Sequence, residues 1–303
     1  MQGWKWLSLI ILTAILIGRP ASGLASETNT SAKQEGEKLK VDTAYFQELI
    51  KSGDLYLMND AYDSFTNQIA ITEKAIGKMS GKTARNQFLA QYIRPAKIAK
   101  ERVLYEVSEY RLIYKIGMSQ TRGAVGNTEI AKLSRLSQRA AAIKAAGKYP
   151  AIPSVTGNYL KAMEAKLKAK KFVSYDAKSP GADTLEYEVF LITNFERVKN
   201  KLPIYTLNTK ISGVARKKSG DMFSRNYFDH TSPTYGSPFD MMARYGVAYR
   251  YAGENIAKGY TGAHDVVEGW MNSPGHRANI LKKEFVQIGT GYKSTYWTQM
   301  FTD

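Results

Sequence analysis

Apolar residues recur every three or four positions through much of the first half of the chain. Leu55, Met58, Tyr62, Phe65, Ile69, Thr72 and Ile76 step in this way, which predicts a helix of about six turns with one buried face. Ala96, Ala99, Val103, Val107, Tyr110 and Tyr114 repeat the pattern, and Pro95 lies near that helix's start, where a missing N–H costs nothing. Gly117, Gly123 and Gly126 interrupt it before Thr128, which is expected to cap a helix with Ile130, Leu133, Leu136, Ala140 and Ile143 inward. Pro150 and Pro153 break the chain again. A last helix then turns Tyr159, Met163 and Leu167 to one side and gathers Lys166, Lys168, Lys170 and Lys171 at its end, where cations suit the helix dipole. Upstream, residues 26–41 are polar, lack aromatics and show no apolar period, so they read as a flexible segment, with helix expected from Asp42.

The pattern changes after residues 174–182, whose composition is that of a linker. Thr184 to Asn200 is expected to be helical, with Leu185, Val189, Ile192 and Phe195 on one face. Ile211, Val214, Ala215, Ser219 and Met222 mark a second helix, and a third begins near Gly262 and stops at Ser273-Pro274-Gly275. The C-terminal stretches 287–292 and 295–301 alternate like strands of a short antiparallel sheet. The expected fold class is α+β, in which an all-helical bundle over 42–173 precedes a second domain over 183–303.

The N-terminus belongs to neither domain. Lys5, the apolar run Leu7 to Ile17 and the small residues Ala21, Gly23 and Ala25 have the layout of a secretory signal, assigned to residues 1–25. The run is too short for a comfortable membrane span, so membrane contact is expected only if the signal stays uncleaved. The chain has no cysteine, so export would place it outside the cell without a disulfide framework, which fits a bacterial origin. Of 43 basic and 27 acidic residues, 28 and 15 fall in residues 1–180. The +16 charge is therefore mostly N-terminal and points to an anionic cell-wall polymer or envelope surface as partner, rather than nucleic acid.

Candidate chemistry is concentrated near the other end. Two of the three histidines, His230 and His276, accompany Glu254 in a region of Gly-rich turns. Asn194-x-x-Arg197, Tyr227-Phe228-Asp229-His230 and Gly253-Glu254-Asn255-Ile256 form one series of motifs. Trp270-x-x-Ser273-Pro274-Gly275-His276-Arg277-x-Asn279-Ile280-Leu281, Ile288-Gly289-x-Gly291 and Tyr296-Trp297-x-Gln299-x-Phe301 continue it. Over residues 184–303 this series resembles the bacterial branch of the CAP superfamily (SCP-like extracellular domains). The helical segments around Tyr92 to Leu112 faintly resemble those of bacterial S-layer proteins, which would make the first domain an assembly module.

The CAP resemblance implies a secreted α-β-α sandwich with a central cleft binding a small ligand or peptide. It also implies two histidines and two glutamates in that cleft, with His230, Glu254 and His276 matching three of them. Ser273 occupies the place of the second glutamate, and Glu268 is wrongly spaced from Trp270 to replace it on a helix face. Three readings of the trio stay open. Two imidazoles and a carboxylate are able to hold a divalent metal such as Zn²⁺ with an open position for water. They also suit general acid/base hydrolysis of peptide or wall substrates, or a polar network that merely closes the cleft. Ser273 reads as part of a helix stop rather than a nucleophile. Asn255 and Asn279 are expected to lock loops, Trp270 to sit in the core, and His264, which matches no motif, to lie on the surface.

Overall fold

A computed structural model describes residues 21–124 and 126–303. The expected signal segment lies outside the described residues as far as residue 20, and so does the side chain of Ile143. Among the described residues no helix is long and apolar enough to cross a membrane.

The chain opens with α1 (Ala21–Ser52), so residues 26–41 are helical rather than flexible, and Asp42 lies within the helix instead of capping it. The positions α1 buries include Ala32, Gly36, Leu39, Thr43 and Phe46, spaced by three or four but mostly small or polar. That is why no apolar period is visible. Small residues let neighbouring elements approach closely: a Cβ on Gly36 would lie 2.6 Å from the Tyr92 ring. Polar residues of α1 are spent on contacts between helices, with Tyr92 donating to Glu37 (2.7 Å) and Gln68 to Glu35 (2.9 Å).

Gly53, at φ +73°, turns the chain into α2 (Leu55–Gly77), capped by Asp54, whose Oδ1 accepts from the Tyr56 and Leu57 amides. All seven residues of the expected stripe are buried in α2. Helix α3 (Lys82–Phe88) runs through a π-helical turn at Leu89–Ile93 into α4 (Arg94–Gln120). Gly117 does not end α4; it makes room for Tyr187, whose hydroxyl would lie 1.9 Å from a Cβ there. Helix α5 (Asn127–Gly147) begins after Gly126, so Thr128 is inside it and caps nothing. Helix α6 (Ser154–Lys168) buries Tyr159, Met163 and Leu167, as their spacing indicates.

The expected linker is docked. Val173–Ser174 is strand β1, paired in parallel with β2 (Thr206–Asn208), and Ala182 is buried. Helix α7 (Thr184–Lys199) starts with a capping box between Asp183 and Glu186. It is buried on nearly every side, as a helix packed between two layers must be. Helix α8 (Thr209–Ser224) is capped by Asn208, and α9 (Pro238–Arg244) by Ser237. Strand β3 (Ala252–Lys258), α10 (Ala263–Met271), α11 (Pro274–Ile280), β4 (Gln287–Lys293) and β5 (Tyr296–Thr302) complete the chain.

The sheet order is β1-β2-β4-β5-β3. It is mixed rather than purely antiparallel, because β1, β2 and β4 run parallel while β5 is antiparallel to β4 and β3. Helix α8 packs against β4 and β5, and α7 contacts β4 and α10. The close approach of α8 depends on glycine: a Cβ on Gly291 would sit 2.2 Å from the Ala215 carbonyl carbon, and one on Gly289 2.3 Å from that of Ile211.

The helical half and the α/β half share one hydrophobic core. Tyr159 of α6 donates to the Leu191 carbonyl (2.6 Å) and its ring meets Phe195 edge-on. Phe172 packs on Phe190, and Tyr114 on Tyr187. Each fully buried aromatic among these (Tyr159, Phe172, Phe190 and Tyr187, not the partly buried Tyr114) is worth about 1.5–3 kcal/mol. His264, expected on the surface, is half-buried in this seam: it stacks on Tyr56, and its Nε2 lies 3.8 Å from Asp54 Oδ2. The nearby Asp54 carboxylate raises its pKa.

Candidate functional site

Glu254 enters the site from β3, where it pairs in register with Met300 of β5, and its carboxylate is almost wholly buried. His230 reaches it from the loop after α8, with Nδ1 2.7 Å from Glu254 Oε1, while 54% of the imidazole side chain stays exposed. Glu254 Oε2 is buried with no hydrogen-bond partner in the protein. Burial raises the Glu254 pKa, and the hydrogen bond to Glu254 raises that of His230.

Two α8 residues hold the His230 loop in place. Lys218, fully buried, donates from Nζ to the carbonyls of Asp229 (2.7 Å) and His230 (2.6 Å). Asp221 accepts from Tyr227 (2.7 Å), Ser232 (2.6 Å) and Thr234 (3.2 Å). Neither was singled out in the sequence, although both sit beside the Ala215, Ser219, Met222 stripe. A charged residue at the edge of an apolar helix face is the signal that would have found them, since buried charges are retained when something pairs with them.

The second half of the site comes from the α10–α11 turn. Asn272 ends α10, and Ser273 is the N-cap residue of α11, with Pro274 following. The Ser273 hydroxyl does not cap the helix; it lies 2.9 Å from His276 Nδ1. Burial, followed by the charge of His230, lowers the His276 pKa. Asn255 donates to the His276 carbonyl and to Gln299 (both 3.1 Å), and Asn279 donates to the Glu254 carbonyl (3.1 Å) and to Asn255 (2.9 Å). Gln299 donates in turn to Thr193 of α7. Trp270, buried, donates to the Ile256 carbonyl (3.1 Å).

Among the described residues no three His, Cys, Asp or Glu side chains are grouped to hold a metal ion. His230 and Glu254 face each other and His276 turns its Nδ1 to Ser273. The metal set His230, Glu254 and His276 expected from the resemblance is thus assembled as a His–carboxylate pair beside a His–Ser pair. The position of the missing fourth ligand carries the hydroxyl that occupies His276. What the arrangement offers is a His–carboxylate couple next to an imidazole whose pKa burial lowers, an opposed pair of the kind that acid/base work or recognition of a polar ligand uses.

Residues 192–301 match the family model of the cysteine-rich secretory protein family, CAP. Residues 28–97 match the SbsC C-terminal domain. The chain is 46% identical over 142 residues to the uncharacterized protein YkwD of Bacillus subtilis (strain 168), covering 46% of this chain and 55% of that protein. It is 39% identical over 118 residues to the uncharacterized membrane protein YlbC of the same organism, covering 39% of this chain and 34% of that one. The chain thus spans about half the length of the first relative and about a third of the second. Among solved structures, an extracellular protein containing an SCP domain from Bacillus anthracis str. Ames is 37% identical, covering 38% of this chain and 39% of that chain (TM-score 0.38). A cysteine-rich secretory protein from Staphylococcus aureus subsp. aureus Mu50 is 18% identical, covering 39% and 37% (TM-score 0.35).

Proposed function

With residues 192–301 a CAP domain of the bacterial type, we propose that the protein is exported and stays associated with the cell envelope. In this reading its CAP domain recognises a polar small ligand or peptide in a cleft at His230, Glu254 and His276. Its basic helical half tethers it to anionic wall polymer. The observation that carries the ligand-binding part is the buried Glu254 carboxylate, with one oxygen on His230 and the other unpartnered. A buried polar atom without a partner is costly, and a ligand donor would relieve it. The excess of basic residues in residues 1–180 supports the tether.

The two halves share a core, so the test keeps the chain whole. Exposed lysines of the helical half are replaced together as Lys78→Gln, Lys82→Gln, Lys115→Gln and Lys132→Gln, and binding to purified cell walls is measured at low and high salt. Loss of binding in the variant and in high salt is expected. Equal recovery of variant and wild type refutes tethering by the helical surface.

One observation favours a second reading, a hydrolase acting on peptide or wall substrates. The pKa of His230 is raised while that of His276 is lowered, and opposed shifts in one site are how acid and base roles are divided. Wild type and His276→Ala are compared on peptides and wall fragments. A variant matching wild type on each cleaved substrate ends the enzymatic reading.

A further inference from the structure

Where α6 ends and β1 begins, the helical half and the CAP half border a solvent-open cavity of about 590 Å³. Lys166, Lys170 and Lys171 line it from the helical side, and Arg197 and Lys283 from the other. Among the described residues no carboxylate lines it, and none of the four lysines makes an ion pair. Elsewhere on the same helix Lys168 is paired with Glu164.

Each cation has a local reason for being there. Lys166 Nζ donates to Thr206 Oγ1 (2.7 Å), which fixes the ammonium across the seam. Arg197, 2% exposed, spends its donors on neutral oxygens: Pro203 (2.7 Å), the Tyr205 hydroxyl (2.7 Å), Ile280 (2.8 Å) and Lys282 (2.9 Å). It therefore positions the loop carrying Lys283 and leaves its own charge uncompensated. The end of α6 closes as a Schellman turn, with the Lys171 amide on the Lys166 carbonyl and the Lys170 amide on that of Leu167. The left-handed residue of such a turn is usually glycine; here Lys170 holds it at φ +56° and adds a cation at the cavity. Burial, then Arg197 and Lys171, push the Lys166 pKa down to about 8, as expected of a cation surrounded by cations.

Arg197 is buried and Lys166 half-buried, while Lys170, Lys171 and Lys283 are exposed at the rim; charges of one sign gathered in this way repel, and the inner two cost desolvation, unless a counter-charge arrives. We propose that this cavity is a phosphate-binding site, built jointly by the two halves, that takes a phosphate group of a polyol-phosphate chain. The identity of the polymer rests on the tethering reading above; the phosphate rests on the cavity alone. Ile204 and Phe285 line the same space and suit the carbon segments flanking a phosphodiester.

Calorimetric titration of the full chain at low salt, first with inorganic phosphate and then with poly(glycerol phosphate), tests it. Lys166→Gln/Lys171→Gln is expected to weaken both by about tenfold or more, and the charge-matched Lys258→Gln/Lys293→Gln, at exposed positions away from the cavity, to leave phosphate binding unchanged. Lys283→Gln, at an exposed position, gives a variant whose fold is not in question, and should also weaken phosphate binding. Lys170→Gly should weaken it while raising Tm. In wild type the Lys166 pKa, followed by NMR, should rise when phosphate is added. Phosphate affinity unchanged by the cavity variants, or an unmoved Lys166, overturns the proposal. Retention on phosphatidylglycerol vesicles through the same lysines, without polymer binding, overturns the polymer as source. If walls do not bind but phosphate depends on Lys166 and Lys171, the tether fails and the cavity stands. If walls bind and phosphate does not, the reverse holds.

Discussion

Replacing Glu254 by Gln keeps nearly the same side-chain shape but removes the charge that His230 faces at 2.7 Å. His230 is 54% exposed in its side chain, so a solvent-like dielectric is the appropriate screening. Two unit charges at that distance then interact by about 1.5 kcal/mol, or roughly one pH unit on the imidazole. His230, raised in the wild type by this hydrogen bond, should fall in Glu254→Gln to about the ordinary 6.5 or below. His276 should move slightly upward, because part of its depression comes from the charge on His230.

Histidine Cε1–H resonances followed by NMR against pH resolve both effects, since the chain has three histidines. Stability carries the same sign. A histidine with a raised folded pKa stabilises fully below about 6.5 and loses that contribution as pH rises through its folded value. Above it, the wild type keeps a buried carboxylate without its cation, so the variant should become the more stable form. Identical His230 titration in both proteins, or a stability difference independent of pH, would refute the reasoning.

Gly291→Ala should destabilise by about 3 kcal/mol or more, read as a fall in Tm, because its Cβ meets α8 backbone at 2.2 Å. Leu39→Ala should cost about 2–5 kcal/mol in urea unfolding, since Leu39 is fully buried in α1; no change would mean that this segment does not pack. His264→Ala should lower stability by roughly 0.5 kcal/mol more near pH 5.5 than at pH 8, where only the stacking on Tyr56 is lost. The raised pKa of His264 confines the benefit of its Asp54 contact to the protonated form, and equal losses at both pH values would exclude that pairing.

Much of the architecture was legible because burial and periodicity coincide. The α2 stripe from Leu55 to Ile76 reports directly which face leaves water, whereas the alternation of the last two strands marks them as strands but not their burial, since β5 is buried at every position. The first part of helix α1 was not legible, because its buried positions before Leu39 are Ala32 and Gly36, which permit close approach rather than burying large apolar area. Gly117 reads as a helix breaker locally, but the Tyr187 hydroxyl from another helix explains it.

The candidate site divides the same way. Residue types and spacing alone named His230, Glu254 and His276. The sequence could not say that His230 would turn to Glu254 while His276 turned to Ser273, nor that Lys218 and Asp221 would hold the loop. Motifs record which chemistry is present along the chain, whereas pairing depends on side-chain directions set by packing. The seam between the halves belongs wholly to the tertiary level. Lys166 and Lys171 lie more than a hundred residues from Lys283 and read as solvated charge, and only the docking of α6 against the sheet brings all three around one cavity. By itself the chain specified most of its helices, its last two strands and its reactive residue types, which are local properties. The shared core decided which charges would meet without a counter-charge, because that depends on distances in space.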